Sequence, residues 1–265
     1  MKKVWFALTI LFTACLLVAC GNTQGASLDT IKQKQKIVVA TESEFAPFEF
    51  KTLVDGKDTL VGADIELAKA IGEKLGVEVE FSVMSFDNVL ASLQNGKADL
   101  AIAGISVTDE RKQVFDFSDA YYTSENVVIV KKDQVETFTS SASLANQSVG
   151  TQKGSVQETV AKNQLPDASI VSLTSNGEMI NELKSGQLQA VVLEKAIAEG
   201  YIAQNEDLTL ASFDLKSEGT DSYAIAAPKG SEQLLKEVNS LIAEVKSNGQ
   251  FDQWLEEASN YQESK

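Results

Sequence analysis

Histidine is missing from all 265 residues. Its absence excludes histidine-dependent catalytic triads, HExxH zinc sites and Cys/His zinc fingers together. Any catalysis is left to carboxylates, Lys, Tyr, Ser or Thr. Proline is scarce at 3 residues, and the 43% hydrophobic and 23% charged fractions exclude a disordered or collagen-like chain. Positive charge is in deficit, with 23 Lys and Arg against 38 Asp and Glu, a net charge of −15. Sequence-independent nucleic-acid binding neutralises phosphates with basic side chains, so no nucleic-acid partner is expected. Cysteine is limited to Cys15 and Cys20. No Gly-rich nucleotide loop, nucleophile elbow or metal-ligand cluster occurs, so neither cofactor nor metal is implied. The length suits one large or two small domains.

The chain opens with a processing signal. Met1-Lys2-Lys3 is basic, and Val4 to Cys20 is an uncharged apolar run, too short and wrongly flanked for a stable membrane span. Residues 1–19 read as a secretion signal. Its end, Leu17-Val18-Ala19-Cys20, resembles the lipobox of bacterial lipoproteins, in which the cysteine becomes the N-terminus and carries lipid, palmitate included. The alternative is an ordinary signal with an incidental cysteine. Gly21 to Ser27 is small and uncharged, and residues 20–35 are expected to form a tether. Cleavage would leave one thiol and no disulfide. It would also remove Lys2 and Lys3, and so acidic a chain gains nothing from an anionic membrane surface, so lipid must hold it there.

From Lys36 onward, strand-like and helical patterns alternate, the mark of an α/β fold. Strands are expected at Lys36–Thr41, Val77–Val83, Ala98–Gly104, Asn126–Val130, Ser148–Gln152, Ser169–Leu173, Gln189–Glu194 and Ser222–Ala227. Ile65, Ala68, Ile71 and Leu75 mark one helical face; Phe86, Val89, Leu90 and Leu93 mark another that stops at Asn95-Gly96. Two more helices are expected at Ser231–Asn248 and around Phe251–Ala258. The segment Asn88–Asp99 lies ninety positions before Glu178–Gln189, and each reads helix, glycine, strand. The same offset pairs Gly104 with Glu194. Ligands of open α/β sheets gather outside the carboxyl ends of strands. A cleft between two similar lobes, floored near 104 and 194, is therefore expected, unless the offset of so common a unit is coincidence.

Four motifs stand in order: Glu42-Ser43-Glu44-Phe45-Ala46-Pro47-Phe48-Glu49; Gly62–Ala68 around Asp64; Ile102–Arg111 with Phe117–Tyr121 behind it; and Gln189–Glu194. Together they resemble family 3 of the extracellular solute-binding proteins, which feed amino acids to ABC importers. The resemblance covers Lys36 to Tyr261. It implies a type II periplasmic-binding-protein-like fold of two α/β lobes joined by two hinge strands, crossing near Thr123–Val127 and Lys216–Asp221. Lobe 1 would be residues 36–124 with 220–265, and lobe 2 residues 125–219. The implied function is to bind a free amino acid between the closing lobes and deliver it to the importer's permease subunits. The chain is then no enzyme but a monomer, lipid-anchored on the extracytoplasmic face of the cell membrane of a bacterium without an outer membrane.

Arg111 is the first candidate site residue. A free amino acid always presents a carboxylate, and guanidinium meets it with two parallel hydrogen bonds as lysine cannot. Thr108 can cap a short helix that places Arg111 beside unpaired backbone amides, unless Arg111 is a surface side chain paired with Asp109 or Glu110. Gly104 and Ser106 would bring backbone groups and a hydroxyl to the same place; relatives often carry Ser at the first. Ser155 sits at a strand-to-helix turn whose amides could meet the carboxylate, or it simply caps the helix. Glu194 matches the position where relatives usually hold Asp for the ligand's ammonium; otherwise it is a solvated acid beside Lys195. Phe45 and Phe86 would wall the ligand's side chain or belong to the core, whereas Phe48 is assigned to the core. Glu42, with Glu44 nearby, leans towards a basic ligand, Arg, Lys or His, although glutamine binders tolerate an acid there.

A ligand of about ten heavy atoms bound at micromolar affinity needs roughly 0.8 kcal/mol per atom, within the ceiling for very small ligands. Two rivals keep the same fold: an extracytoplasmic dehydratase using Glu194 or Glu42 as general acid, and a surface protein with a protein partner. Retention of both Arg111 and an acid at 194 speaks against the second.

Overall fold

A computed structural model describes residues 26–216 and 222–263. The signal, Cys20 and most of the second expected crossing, 217–221, lie outside the described residues. The elements run α1 (Leu28–Lys34), β1 (Lys36–Thr41), β2 (Glu44–Phe45), β3 (Glu49–Val54), β4 (Lys57–Val61), α2 (Ala63–Leu75), β5 (Glu78–Val83), α3 (Phe86–Gln94), β6 (Leu100–Ala101), α4 (Asp109–Val114), β7 (Phe115–Phe117) and β8 (Tyr122–Thr123). Then follow β9 (Asn126–Lys131), β10 (Ser148–Gln152), α5 (Val156–Gln164), β11 (Ser169–Leu173), α6 (Asn176–Ser185), β12 (Ala190–Glu194), α7 (Lys195–Gln204) and β13 (Leu208–Leu210). The chain closes with β14 (Ser222–Tyr223), β15 (Ala226–Pro228), α8 (Glu232–Ser247) and α9 (Gln250–Glu263).

Two five-stranded sheets are built alike, in the orders β5-β1-β6-β15-β7 and β11-β10-β12-β9-β13. In each, three parallel strands are followed by an antiparallel one, the type II arrangement of two α/β lobes. A two-stranded ribbon, β8 with β14, and a three-stranded meander, β2-β3-β4, complete the fold. The ninety-residue offset is structural. Asp99 accepts from the amide of Val38 at 2.9 Å, and Gln189 accepts from the amide of Ser148 at 3.0 Å, so both side chains pin the neighbouring parallel strand. Gly96 and Gly186 end the two equivalent helices at φ +66° and +82°, a conformation costly to other residues.

Three expectations are corrected. The tether does not reach residue 35: Ser27 caps α1 and Ile31, 1% exposed, enters the core, because an apolar residue on a capped helix gains more from burial than from solvent. The strand expected at Ala98–Gly104 pairs as a strand only at Leu100–Ala101, since Gly104 turns to φ +54°. The strand expected at Ser222–Ala227 is two, because the amides of Ala224 and Ile225 bond instead to Ile105 O and Ser118 Oγ as the chain leaves the ribbon for the sheet. α8 buries Leu234, Leu235, Val238, Leu241, Ile242 and Val245 along one stripe, and α9 packs on α2, α8 and α7.

Candidate functional site

The carboxyl ends of β1, β6, β10 and β12 converge, and the chemistry collects there. Glu42 follows β1 and is 3% exposed. From the other sheet, Gln152 at the end of β10 donates Nε2 to both its oxygens, at 3.2 and 3.0 Å. Burial pushes the Glu42 carboxyl up to about 8, with Glu44 and Glu194 adding to the rise and Gln152 opposing it.

Thr108 caps α4 by accepting from the Arg111 amide at 3.1 Å. The Arg111 side chain, half-buried, ignores Asp109, which pairs with Lys112. Its Nη1 donates to Ser106 O at 2.7 Å and its Nη2 to Gly154 O at 3.1 Å, so one guanidinium touches both lobes. It also lies 5.6 Å from the centre of the Phe86 ring, a cation–π distance. Burial lowers its pKa to about 10, Glu194 opposing, and it stays protonated at neutral pH. Arg111 is the only arginine in the chain, a signal present in the sequence that composition totals hide.

Glu194 ends β12, is 6% exposed and acts electrostatically on both Arg111 and Glu42. Lys195 turns away to Glu125, 3.6 Å, so Glu194 is not a solvated partner of its neighbour. Asn126, opposite Glu194 in the sheet register, accepts from Gln157 Nε2 at 2.8 Å in a buried contact.

Phe86 is 5% exposed, lies in the core of the first sheet and still presents its ring to Arg111. Phe45, 3% exposed, packs on Phe48 and Tyr223 and abuts Gly104: a Cβ added there would stand 2.4 Å from the Phe45 ring. Phe48 is fully buried, as expected of a core residue. The Gly104 amide donates to Asp64 at 3.2 Å, which leaves its carbonyl as the group it can offer a ligand. Ser106 is held by a β-bridge to Tyr223.

The turn at Ser155 differs from the amide-donating site considered above. Ser155 Oγ donates to Gln152 O at 2.7 Å and accepts from Glu158 N at 3.2 Å, the capping arrangement. The Gly154 amide goes to Glu158 Oε2 and the Ser155 amide to Gln152 O, so this turn offers Arg111 a carbonyl instead. Sequence reading missed Gln152, Asn126 and Gln157, and it missed a buried acid pair behind the site. Asp64 accepts from Tyr121 OH at 2.7 Å, and Glu49, wholly buried, hydrogen-bonds to Asp64. As carboxylates Glu49 and Asp64 Oδ1 would have no donor between them. Burial first, then the Asp64 charge, raises Glu49 far above the ordinary range, and its proton supplies that donor; burial carries Asp64 itself to about 6.

The arrangement suits a zwitterion: a cation for a carboxylate, an acid for an ammonium, and a second, deeper acid. Similarity to known proteins agrees. The chain is 36% identical over 258 residues to the arginine-binding extracellular protein ArtP of Bacillus subtilis, covering 95% of this chain and 96% of that protein. It is 31% identical over 255 residues to a probable histidine-binding protein of Campylobacter jejuni, covering 95% and 96%. The crystal structure of the amino acid ABC transporter substrate-binding protein AbpA from Streptococcus pneumoniae, bound to L-arginine, superposes with a TM-score of 0.86 at 51% identity, covering 88% of this chain and 98% of that one. The family model for bacterial extracellular solute-binding proteins, family 3, matches residues 37–258, and with these relatives it shows that the chain belongs to that family.

Proposed function

We propose that this protein binds a free amino acid with a cationic side chain, arginine foremost, between its lobes and delivers it to the permease of an ABC importer. The observation that carries the reading is the meeting of Arg111, Glu194 and Glu42 from both sheets at one cleft. Arg111 takes the ligand carboxylate, Glu194 the α-ammonium, and Glu42, positioned by Gln152, the side-chain cation. Gly104 and Ser106 line the carboxylate end, with Phe45 and Phe86 as walls and Ser155 shaping the opposite rim. Lobe 1 comprises 36–124 with 220–265 and lobe 2 comprises 125–219. With the 1–19 signal cleaved, a lipid on Cys20 holds the monomer at the extracytoplasmic face of the membrane, within reach of the permease.

The test is a thermal-shift screen of the chain from Gly21, unfolded and refolded to strip carried ligand, against the twenty amino acids. At a thousand-fold over Kd, binding adds about 4 kcal/mol, roughly 8 to 16 °C for a protein of this size. A large shift with Arg, Lys or His that vanishes in Arg111→Ala is expected. A shift with glutamine alone would overturn the role of Glu42. No shift at all would bring forward the dehydratase and surface-protein readings. Cys20→Ala should release the protein from membranes into the medium.

A further inference from the structure

Glu44 follows Glu42 by two residues and is exposed where Glu42 is buried. Its carboxylate leaves its own lobe. Oε2 accepts from Ser175 Oγ at 2.7 Å and from the Gly177 amide at 3.1 Å, and its backbone carbonyl accepts from Tyr201 OH at 3.2 Å. These contacts span 131, 133 and 157 positions of sequence. The first amides of a helix have no intrahelical acceptor. In α6, Ser175 Oγ takes that of Glu178 at 3.1 Å, and Glu44 takes that of Gly177. A negative charge from lobe 1 thus completes the cap of a lobe 2 helix and faces the positive end of its dipole. Glu44 also lines a crevice of about 260 Å³ with Lys51, Ile197, Tyr201 and Tyr261, which includes neither Arg111, Glu194 nor Glu42.

We infer that Glu44 is a closure latch and not a reader of the ligand's side chain. The inference rests on the proposed closing of two lobes over an amino acid. A ligand can favour closure only through its differential affinity for the closed form, and apparent affinity scales with the fraction of protein competent to close. The Glu44 contacts exist only when the lobes meet. They raise that fraction equally for every ligand, whereas Glu42 discriminates among ligands. Because Glu44 is exposed, its contribution is screened by salt.

The experiment compares wild type, Glu44→Ala and Glu44→Gln by calorimetry and stopped-flow with arginine and with a second amino acid that wild type binds. The interlobe distance is followed by spin labels with and without arginine. Glu44→Ala is expected to bind both ligands about tenfold more weakly, with dissociation faster by the same factor and the ratio between ligands unchanged. Glu44→Gln, which keeps an acceptor without charge, should fall between, and raising salt should weaken wild type more than Glu44→Ala. Unchanged affinities would overturn the latch, as would a loss confined to one ligand. Should wild type bind no amino acid, the proposed function falls, and the ligand-free distance alone decides the latch: a distance identical in Glu44→Ala overturns it.

Discussion

Gln152 holds both carboxylate oxygens of Glu42 with one side-chain nitrogen across the cleft, at 3.2 and 3.0 Å. The neutral amide fixes the acid's position without neutralising it. The acid titrates near 8 because burial penalises its charge, so near neutral pH it is largely protonated before a cation arrives.

On the proposed function, arginine binding expels that proton. Affinity for arginine is expected to rise with pH, by up to about tenfold per unit, and to level off above pH 8. Calorimetry in buffers of different ionisation enthalpy should register close to one proton released at pH 6.5. Glu42→Gln should remove both the release and the slope; a wild type that releases no proton would deny Glu42 its part in recognition.

Arg111→Ala should weaken binding at least a hundred-fold, about 3 kcal/mol, because the ligand carboxylate would be enclosed without its cation. Arg111→Lys should recover only part of the loss, since a single ammonium cannot reach Ser106 O, Gly154 O and a carboxylate in fixed geometry. Titration calorimetry of both variants distinguishes charge from geometry: equal losses would mean that the fork matters and the charge does not.

Gly104→Ala is expected to cost about 1–3 kcal/mol of stability and to weaken the ligand as well. The added Cβ would stand 2.4 Å from the Phe45 ring, on a backbone at φ +54°. Phe45 is backed by Phe48 and Tyr223 and has little room to retreat. Urea unfolding and arginine titration of the variant check both effects, and a neutral result would show that the ring can yield.

Three buried acids, Glu42, Glu49 and Asp64, have folded-state pKa values above their unfolded ones. The folded chain then binds more protons than the unfolded chain above about pH 4, so stability falls as pH rises through 6 and 8. Asp64 alone, raised from 3.8 to about 6, accounts for roughly 3 kcal/mol. Asp87, Asp116 and Glu158 are shifted the other way, by hydrogen bonds and lysine partners, and their stabilisation disappears as pH falls below about 4. The ligand-free protein should be most stable near pH 4 and lose several kcal/mol by pH 8, read from urea midpoints. Glu49→Gln, a permanent donor to Asp64, should flatten the alkaline arm; an unchanged slope would mean that Glu49 carries no proton.

The local grammar of the chain was legible in the sequence. β10 and β11 begin and end where alternation and turn residues predict, because the periods of strands and helices depend on near neighbours. The ninety-residue offset also reads directly, since Asp99 and Gln189 do the same work in two sheets of one design. Arg111, the one arginine of the chain, at a capped turn and Glu194 at the end of an apolar strand stand out by residue type and position. What only the tertiary structure decided is which partner each acid meets. Glu42 finds Gln152 110 positions away, and Glu44 finds Ser175 131 positions away. Two acids two residues apart thereby part company, one buried in the cleft and one at its rim. Ser155 is a cap because its hydroxyl finds Gln152 O and Glu158 N, and Glu49 becomes an acid with a proton because it is wholly buried and Asp64 is beside it. Such outcomes depend on burial and on pairing between lobes, which no local period encodes.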